Sequence, residues 1–237
     1  MELKIYDTKQ TVAEKFSMYV SKIASGDQKI HIALSGGSTP KIVFDHLAQN
    51  YSTQINWENI CLYWGDERCV DPSDSESNYK MTVEHLLSKI NIPEANIFRI
   101  KGENDPEAEA ERYGEVLQKE LPLVDGVPQF DLVILGMGDD GHTASVFPYN
   151  IELWDLAANC TVAVHPDSGQ KRVSLTGKVI NNAKEVAFLV TGADKADKVH
   201  EIIDEQESAK AYPANLVKPK SGNLVWFLDE DAAAKIE

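Results

Sequence analysis

Between residues 29 and 228 short runs rich in β-branched and aromatic residues alternate with longer amphipathic stretches. That alternation restricts the chain to architectures in which helices cross over between strands of a largely parallel sheet. Residues 29–34, 60–64, 97–100, 130–135, 161–165, 186–191 and 224–228 read as strands. Residues 39–49 read as a helix with Thr39 at the N-cap and Pro40 as the first helical residue, the position where a missing N–H costs least. A second helix, 78–90, turns Met81, Leu86, Leu87 and Ile90 inward; 106–121 is a charged surface helix, and a fourth runs from about 195 to 204.

Segments 122–128 and 166–170 read as loops too short to divide domains. The expectation is a single α/β domain over residues 1–237, with a mostly parallel central sheet and helices on both faces, a Rossmann-like open sheet.

Charge and thiol content limit the partners. A net charge of −15, from 23 basic against 38 acidic residues, disfavours nucleic acid, because phosphate-backbone affinity needs a basic stripe. No apolar run approaches membrane-spanning length and the start lacks a signal-peptide apolar region, so a cytoplasmic protein without a membrane partner is expected. Cys61, Cys69 and Cys160 are odd in number and widely spaced, and read as reduced thiols. A monomer is the default, although oligomeric state is not legible here.

Open α/β sheets bind ligands at the carboxyl ends of their strands, and three such ends carry chemistry. Ser35, Gly36, Gly37, Ser38, Thr39 and Pro40 join a strand to a helix start, where unpaired N–H groups and two hydroxyls suit a phosphate; a plain capped turn is the alternative. The segment lacks the Gly-Lys-Ser/Thr of a Walker loop and the glycine spacing of a dinucleotide fingerprint. Gly65, Asp66, Glu67 and Arg68 follow the next strand. Arg68 offers a planar fork for an anion while its acidic neighbours hold it or bind sugar hydroxyls; a surface salt bridge is the plainer reading.

The densest chemistry is Gly136-Met137-Gly138-Asp139-Asp140-Gly141-His142-Thr143-Ala144, directly after the apolar strand 130–135. A neutral imidazole at His142 can take a proton from water at physiological pH, and Asp140 can orient it or stabilise its charged form. Alternatively Asp140 only caps a short helix beginning near His142. Lys171, Arg172 and Lys195 are candidate cations for an anion, each singly a plausible surface charge. No Gly-x-Ser-x-Gly elbow, His-x-x-x-His pair or Cys/His cluster is present, so neither a serine hydrolase nor a metal site is indicated.

In succession these segments resemble the 6-phosphogluconolactonase family, related in fold to glucosamine-6-phosphate isomerase/deaminase. The matching pieces are the Ser35 to Pro40 loop, Gly65 to Arg68 with Ser77-Asn78, Leu135 to Pro148, Arg172 to Thr176, Thr191 to Ala196, and Pro213-Ala214. The resemblance implies hydrolysis of 6-phospho-D-glucono-1,5-lactone to 6-phosphogluconate without metal or organic cofactor, with His142 as the base that activates water. It also implies phosphate binding by Gly36, Gly37, Ser38 and Thr39, with Arg68, Arg172 and Lys195 supplying charge. Lys171 has no counterpart in the family pattern. A deaminase is the nearest alternative, but in that family a glutamate precedes the proline where this chain has Phe147, which cannot relay a proton. A non-catalytic sugar-phosphate sensor would need neither His142 nor Asp140.

Overall fold

The computed structural model describes residues 1–236. Its strands are β1 (Glu2–Tyr6), β2 (Ile30–Leu34), β3 (Ile60–Trp64), β4 (Asp66–Arg68), β5 (Ile97–Phe98), β6 (Leu123–Val124), β7 (Val127–Pro128), β8 (Leu132–Leu135), β9 (Cys160–Val164), β10 (Lys171–Leu175), β11 (Val186–Val190) and β12 (Leu224–Asp229). The α-helices are α1 (Lys9–Ile23), α2 (Ser38–Asn50), α3 (Asn78–His85), α4 (Pro106–Glu120), α5 (Gly177–Ile180) and α6 (Ala196–Ile203).

Seven strands form a wholly parallel central sheet in the order β1-β12-β11-β8-β2-β3-β5, with helices around it, as the alternation predicts. Every residue of β3, β8 and β11 is buried, the pattern of strands covered on both faces. Leu34 lies opposite Trp64, and Ala33 opposite Val133. The loops that follow β2, β3 and β8 therefore emerge side by side on one rim. Beneath them runs a continuous apolar core in which Phe188 stacks on Trp226 at 4.0 Å between ring centroids.

Six features depart from the sequence reading. Residues 161–165 do not join the central sheet; β9 pairs antiparallel with β10, and β10 with β4, in a separate three-stranded sheet. Helix α2 begins two residues early, with Gly37 at the cap (φ 109°), and the Thr39 hydroxyl bonds Thr191 at 2.8 Å across the rim instead of capping its own helix. Helix α3 stops at His85, since Leu86 leaves helical geometry (φ −134°, ψ −64°) to bury its side chain in the core, and a 3₁₀ turn at Leu87–Lys89 follows. Only Ile97 and Phe98 of residues 97–100 pair as a strand, and residues 122–128 contain the small hairpin β6-β7. Finally β1 and α1 complete one edge of the molecule, with Thr8 capping α1 and Val12, Ala13, Phe16 and Val20 buried. No helix among the described residues is long and apolar enough to cross a membrane.

Candidate functional site

The strand β3 leaves the central sheet through Gly65 and continues as β4 in the small sheet. Gly65 is laced into both: its N–H donates to Leu34 C=O at 2.8 Å, and its C=O accepts from Leu175 N–H at 2.9 Å. In β4 and β10 the register pairs Asp66 with Ser174 and Arg68 with Arg172. Because side chains alternate along a strand, these four share one face, which borders the rim, while Glu67 and Val173 point the other way.

That arrangement creates a cavity of about 180 Å³ lined by Ser35, Gly36, Gly37, Asp66, Arg68, Asn78, Gly136, Met137, Gly138, His142, Ala144 and Arg172. An adjoining cavity of about 200 Å³ shares Gly36, Gly37, Gly136 and Met137 and adds Ser38, Thr39, Pro40, Thr191 and Lys195. Together they reach the lower end of the range for small-molecule sites, on the order of 300 to 1,000 Å³. A larger cavity of about 620 Å³ lies between α4 and β9, but it contains none of the expected groups.

The residues expected at the site thus divide between two joined spaces. Arg68, Arg172 and His142 share the first; Ser38, Thr39 and Lys195 line the second; Gly36 and Gly37 belong to both. Lys171 lies outside, ion-paired with Glu107 at 2.8 Å.

The His142 loop is closed by two main-chain bonds, Gly138 N–H to His142 C=O at 2.9 Å and Gly141 N–H to Gly138 C=O at 3.2 Å. It forms a turn and no helix, so Asp140 does not cap one. Instead a single oxygen, Asp140 Oδ1, lies 2.6 Å from His142 Nδ1 and accepts the His142 backbone N–H at 3.0 Å. Burial pushes the Asp140 carboxyl up, but the hydrogen bond and charge of His142 prevail and hold it below its ordinary value. An ionised acceptor at Nδ1 favours a proton there and leaves Nε2 with its lone pair. Phe147, fully buried, packs against the imidazole with centroids 4.6 Å apart, and Gly138 lies so close under it that a Cβ would stand 2.1 Å from Nδ1.

Two guanidinium groups face each other across the small sheet. Arg68 Nη1 donates to Glu76 C=O at 2.6 Å, whereas the buried Nε atoms of both Arg68 and Arg172 have no partner. Burial and the positive neighbour Arg68 both press the Arg172 pKa down.

Three further residues build the site: Asp66 and Glu67, read from sequence as acids that hold Arg68 or bind sugar hydroxyls, and Asn78, part of the family pattern. Asp66 is anchored by the Ser145 hydroxyl at 2.6 Å, and the Ser145 N–H in turn donates to Ser174 Oγ at 3.1 Å. Asn78 opens α3; its amide donates to Asp66 C=O at 3.0 Å and its Oδ1 occupies the space where a Cβ of Gly36 would stand. Glu67 sets that helix start from behind, accepting the N–H groups of Arg68, Asn78 and Tyr79 and the Ser77 hydroxyl. Burial raises the Glu67 pKa, with these donors opposing. How these residues are held was not readable from local sequence, because it depends on the long-range pairing of β4 with β10.

Fold and site define an open α/β protein with a cleft, lined by two arginines and an aspartate-oriented histidine, at the carboxyl rim of its parallel sheet. Comparison with known proteins agrees. The profile of the family described as glucosamine-6-phosphate isomerases/6-phosphogluconolactonase matches residues 6–226, and the chain belongs to that family. It is 46% identical to the 6-phosphogluconolactonase of Haemophilus influenzae over 222 residues, covering 93% of this chain and 92% of the relative. Among solved structures it superposes on devB protein with a TM-score of 0.96 at 46% identity, covering 100% of this chain and 99% of the other. The 6-phosphogluconolactonase of Trypanosoma brucei gives a TM-score of 0.86 at 28% identity, covering 100% and 98%.

Proposed function

We propose that the chain is a 6-phosphogluconolactonase, a carboxylic ester hydrolase that opens 6-phospho-D-glucono-1,5-lactone to 6-phosphogluconate. The observation that carries the mechanism is the Asp140-oriented imidazole of His142 in the same cavity as two guanidinium groups whose buried Nε atoms lack partners. The phosphate lies over Gly36, Gly37, Ser38 and Thr39 at the amino end of α2, with Lys195 on one flank and Arg68 and Arg172 on the other. The ring then extends along Gly136 and Gly138 to His142.

His142 Nε2 removes a proton from water as the oxygen adds to the C1 carbonyl. The tetrahedral oxyanion collapses with cleavage of the bond between C1 and the ring oxygen, which takes the proton back from the imidazolium. The acid formed then ionises, releasing one proton to solvent. A lactone is already activated, so one base and charge stabilisation suffice, and this sequence calls on no cofactor. The distant phosphate supplies the binding that orients the carbonyl.

A deaminase is the weaker reading. The side chain before Pro148 is Phe147, apolar and wholly buried against His142, and it has no proton to pass. We further propose that the chain acts as one domain and as a monomer. Its cysteines, unpaired among the described residues, fit the reducing cytoplasm.

The test follows hydrolysis of freshly generated lactone by acid release, corrected for the spontaneous rate. His142→Ala is expected to lose turnover yet bind 6-phosphogluconate, whereas Arg68→Ala mainly weakens binding. A His142→Ala protein turning over at the parental rate disproves the base assignment.

A further inference from the structure

The loop carrying His142 is braced from outside by a segment with no part in the chemistry. Gly141 has φ +86°, and a Cβ there would stand 2.6 Å from Tyr212 Cγ, so the phenol ring lies directly on the glycine. Two residues on, Ala214 N–H donates to Gly141 C=O at 3.1 Å. The far end of the ring is fixed as well. Its hydroxyl donates to Glu201 Oε2 at 2.5 Å and accepts from Lys198 Nζ at 2.6 Å. Both partners project from α6 and lie 3.4 Å from each other. Each responds to the phenol: its hydrogen bond is the main cause that lowers the Glu201 pKa and raises that of Lys198. Helix α6 begins immediately after Lys195, which lines the cavity beside the α2 amino end.

We propose that Tyr212 is a positioning residue, a strut between α6 and Gly141 that sets the height of the His142 imidazole over the lactone carbonyl. This rests on the reading of His142 as the base. Within the loop two main-chain bonds, the Asp140 contacts and the Thr143 hydroxyl on Gly136 C=O at 2.8 Å oppose its movement, and its left-handed glycine offers no side chain of its own to pack. Phe147 and Gly138 confine the ring from within; Tyr212 is what prevents the loop from lifting outward. Since α6 carries both the clamp and the flank of the anion cavity, the strut also ties the imidazole's position to the element that meets the distant end of the substrate.

A displacement of about 1 Å at a reacting group costs on the order of 100-fold in rate, which sets the scale of the test. Tyr212→Leu removes the ring and is expected to lower kcat by about 10- to 100-fold, with KM and the Kd for 6-phosphogluconate within about twofold of parental. Tyr212→Phe keeps the ring on Gly141 but releases the clamp, and Lys198→Met weakens the clamp from its other end; each is expected to lose about 3- to 10-fold in kcat alone. A readout independent of turnover is the imidazole proton between His142 and Asp140 in the ¹H spectrum, assigned by its absence in His142→Gln. It should be sharp in the parental protein and broadened in Tyr212→Leu.

Parental kcat in Tyr212→Leu, an unchanged imidazole resonance, or a loss of product affinity as large as the loss of kcat overturns the strut. If Tyr212→Leu does not fold, the same criteria apply to Tyr212→Phe and Lys198→Met. His142→Gln separates the two readings: parental turnover there defeats the base assignment, while an inactive His142→Gln beside a fully active Tyr212→Leu defeats the strut alone.

Discussion

Replacing Asp140 by Asn tests how much of the catalysis depends on orienting one imidazole. Asp140 Oδ1 makes two contacts with His142, at 3.0 Å to the backbone N–H and 2.6 Å to Nδ1. An amide oxygen can keep the first, so the turn survives, but the charge that favours a proton on Nδ1 is gone. A hydrogen bond to a charged group is worth about 1.5 to 3 kcal/mol. The Asp140 side chain is 38% exposed, and solvent screening places the loss near the lower end, about 1.5 to 2 kcal/mol. If that difference is felt in the transition state, kcat falls roughly 10- to 30-fold with KM nearly unchanged. The assay is steady-state acid release from fresh lactone at several substrate concentrations.

A stability measurement accompanies it. Because the folded carboxyl sits below its ordinary pKa, its contribution is present above the unfolded value and is lost as pH falls through the lowered one. The melting-temperature gap between parental and Asn proteins should therefore be open at neutral pH and close in strong acid. A kcat within about threefold of parental, or an effect confined to KM, refutes the orienting role.

Arg172→Met removes a 9% exposed cation set opposite Arg68, so the unliganded protein should melt no lower than the parental one. It should forfeit most of the ligand-induced shift, which at 100 times Kd is about 2.7 kcal/mol, or roughly 5 to 10 °C for a chain of this size, in thermal melts with 6-phosphogluconate. Glu67→Gln leaves at least one of four donors without an acceptor in a site only 2% exposed, and is expected to destabilise by about 1 to 3 kcal/mol in urea titrations. An unchanged midpoint would show that the capping of α3 by Glu67 is energetically idle.

The central sheet and the rim were legible because buried parallel strands carry a local signature: an apolar run, then glycines, then a helix start. Thus β2, β3 and β8 with their loops could be placed, and the candidate residues at 36–39, 68, 142 and 172 do gather in adjoining spaces. The small sheet was not legible. Asp66, Glu67 and Arg68 have no strand-like composition, and their pairing with β10 is fixed by register across the cleft, which no short window contains. Thr39 illustrates the same limit on a smaller scale. Its position signals a cap, but a hydroxyl partner just beyond the end of β11, Thr191, outcompetes the local amide. The break of α3 at Leu86 likewise answers to the core and not to propensity.

Gly65 has a consequence for which sugars can be used. Main-chain bonds on both of its sides join the end of β2 to β10, so the glycine loop at the α2 start and the two arginines move as one piece. The spacing of their backbones acts as a gauge, from which the arginine side chains reach into the cavity. A five-carbon phosphorylated lactone, one carbon short, is therefore expected to turn over more slowly than the six-carbon one in the same acid-release assay, and equal turnover of the two refutes the gauge.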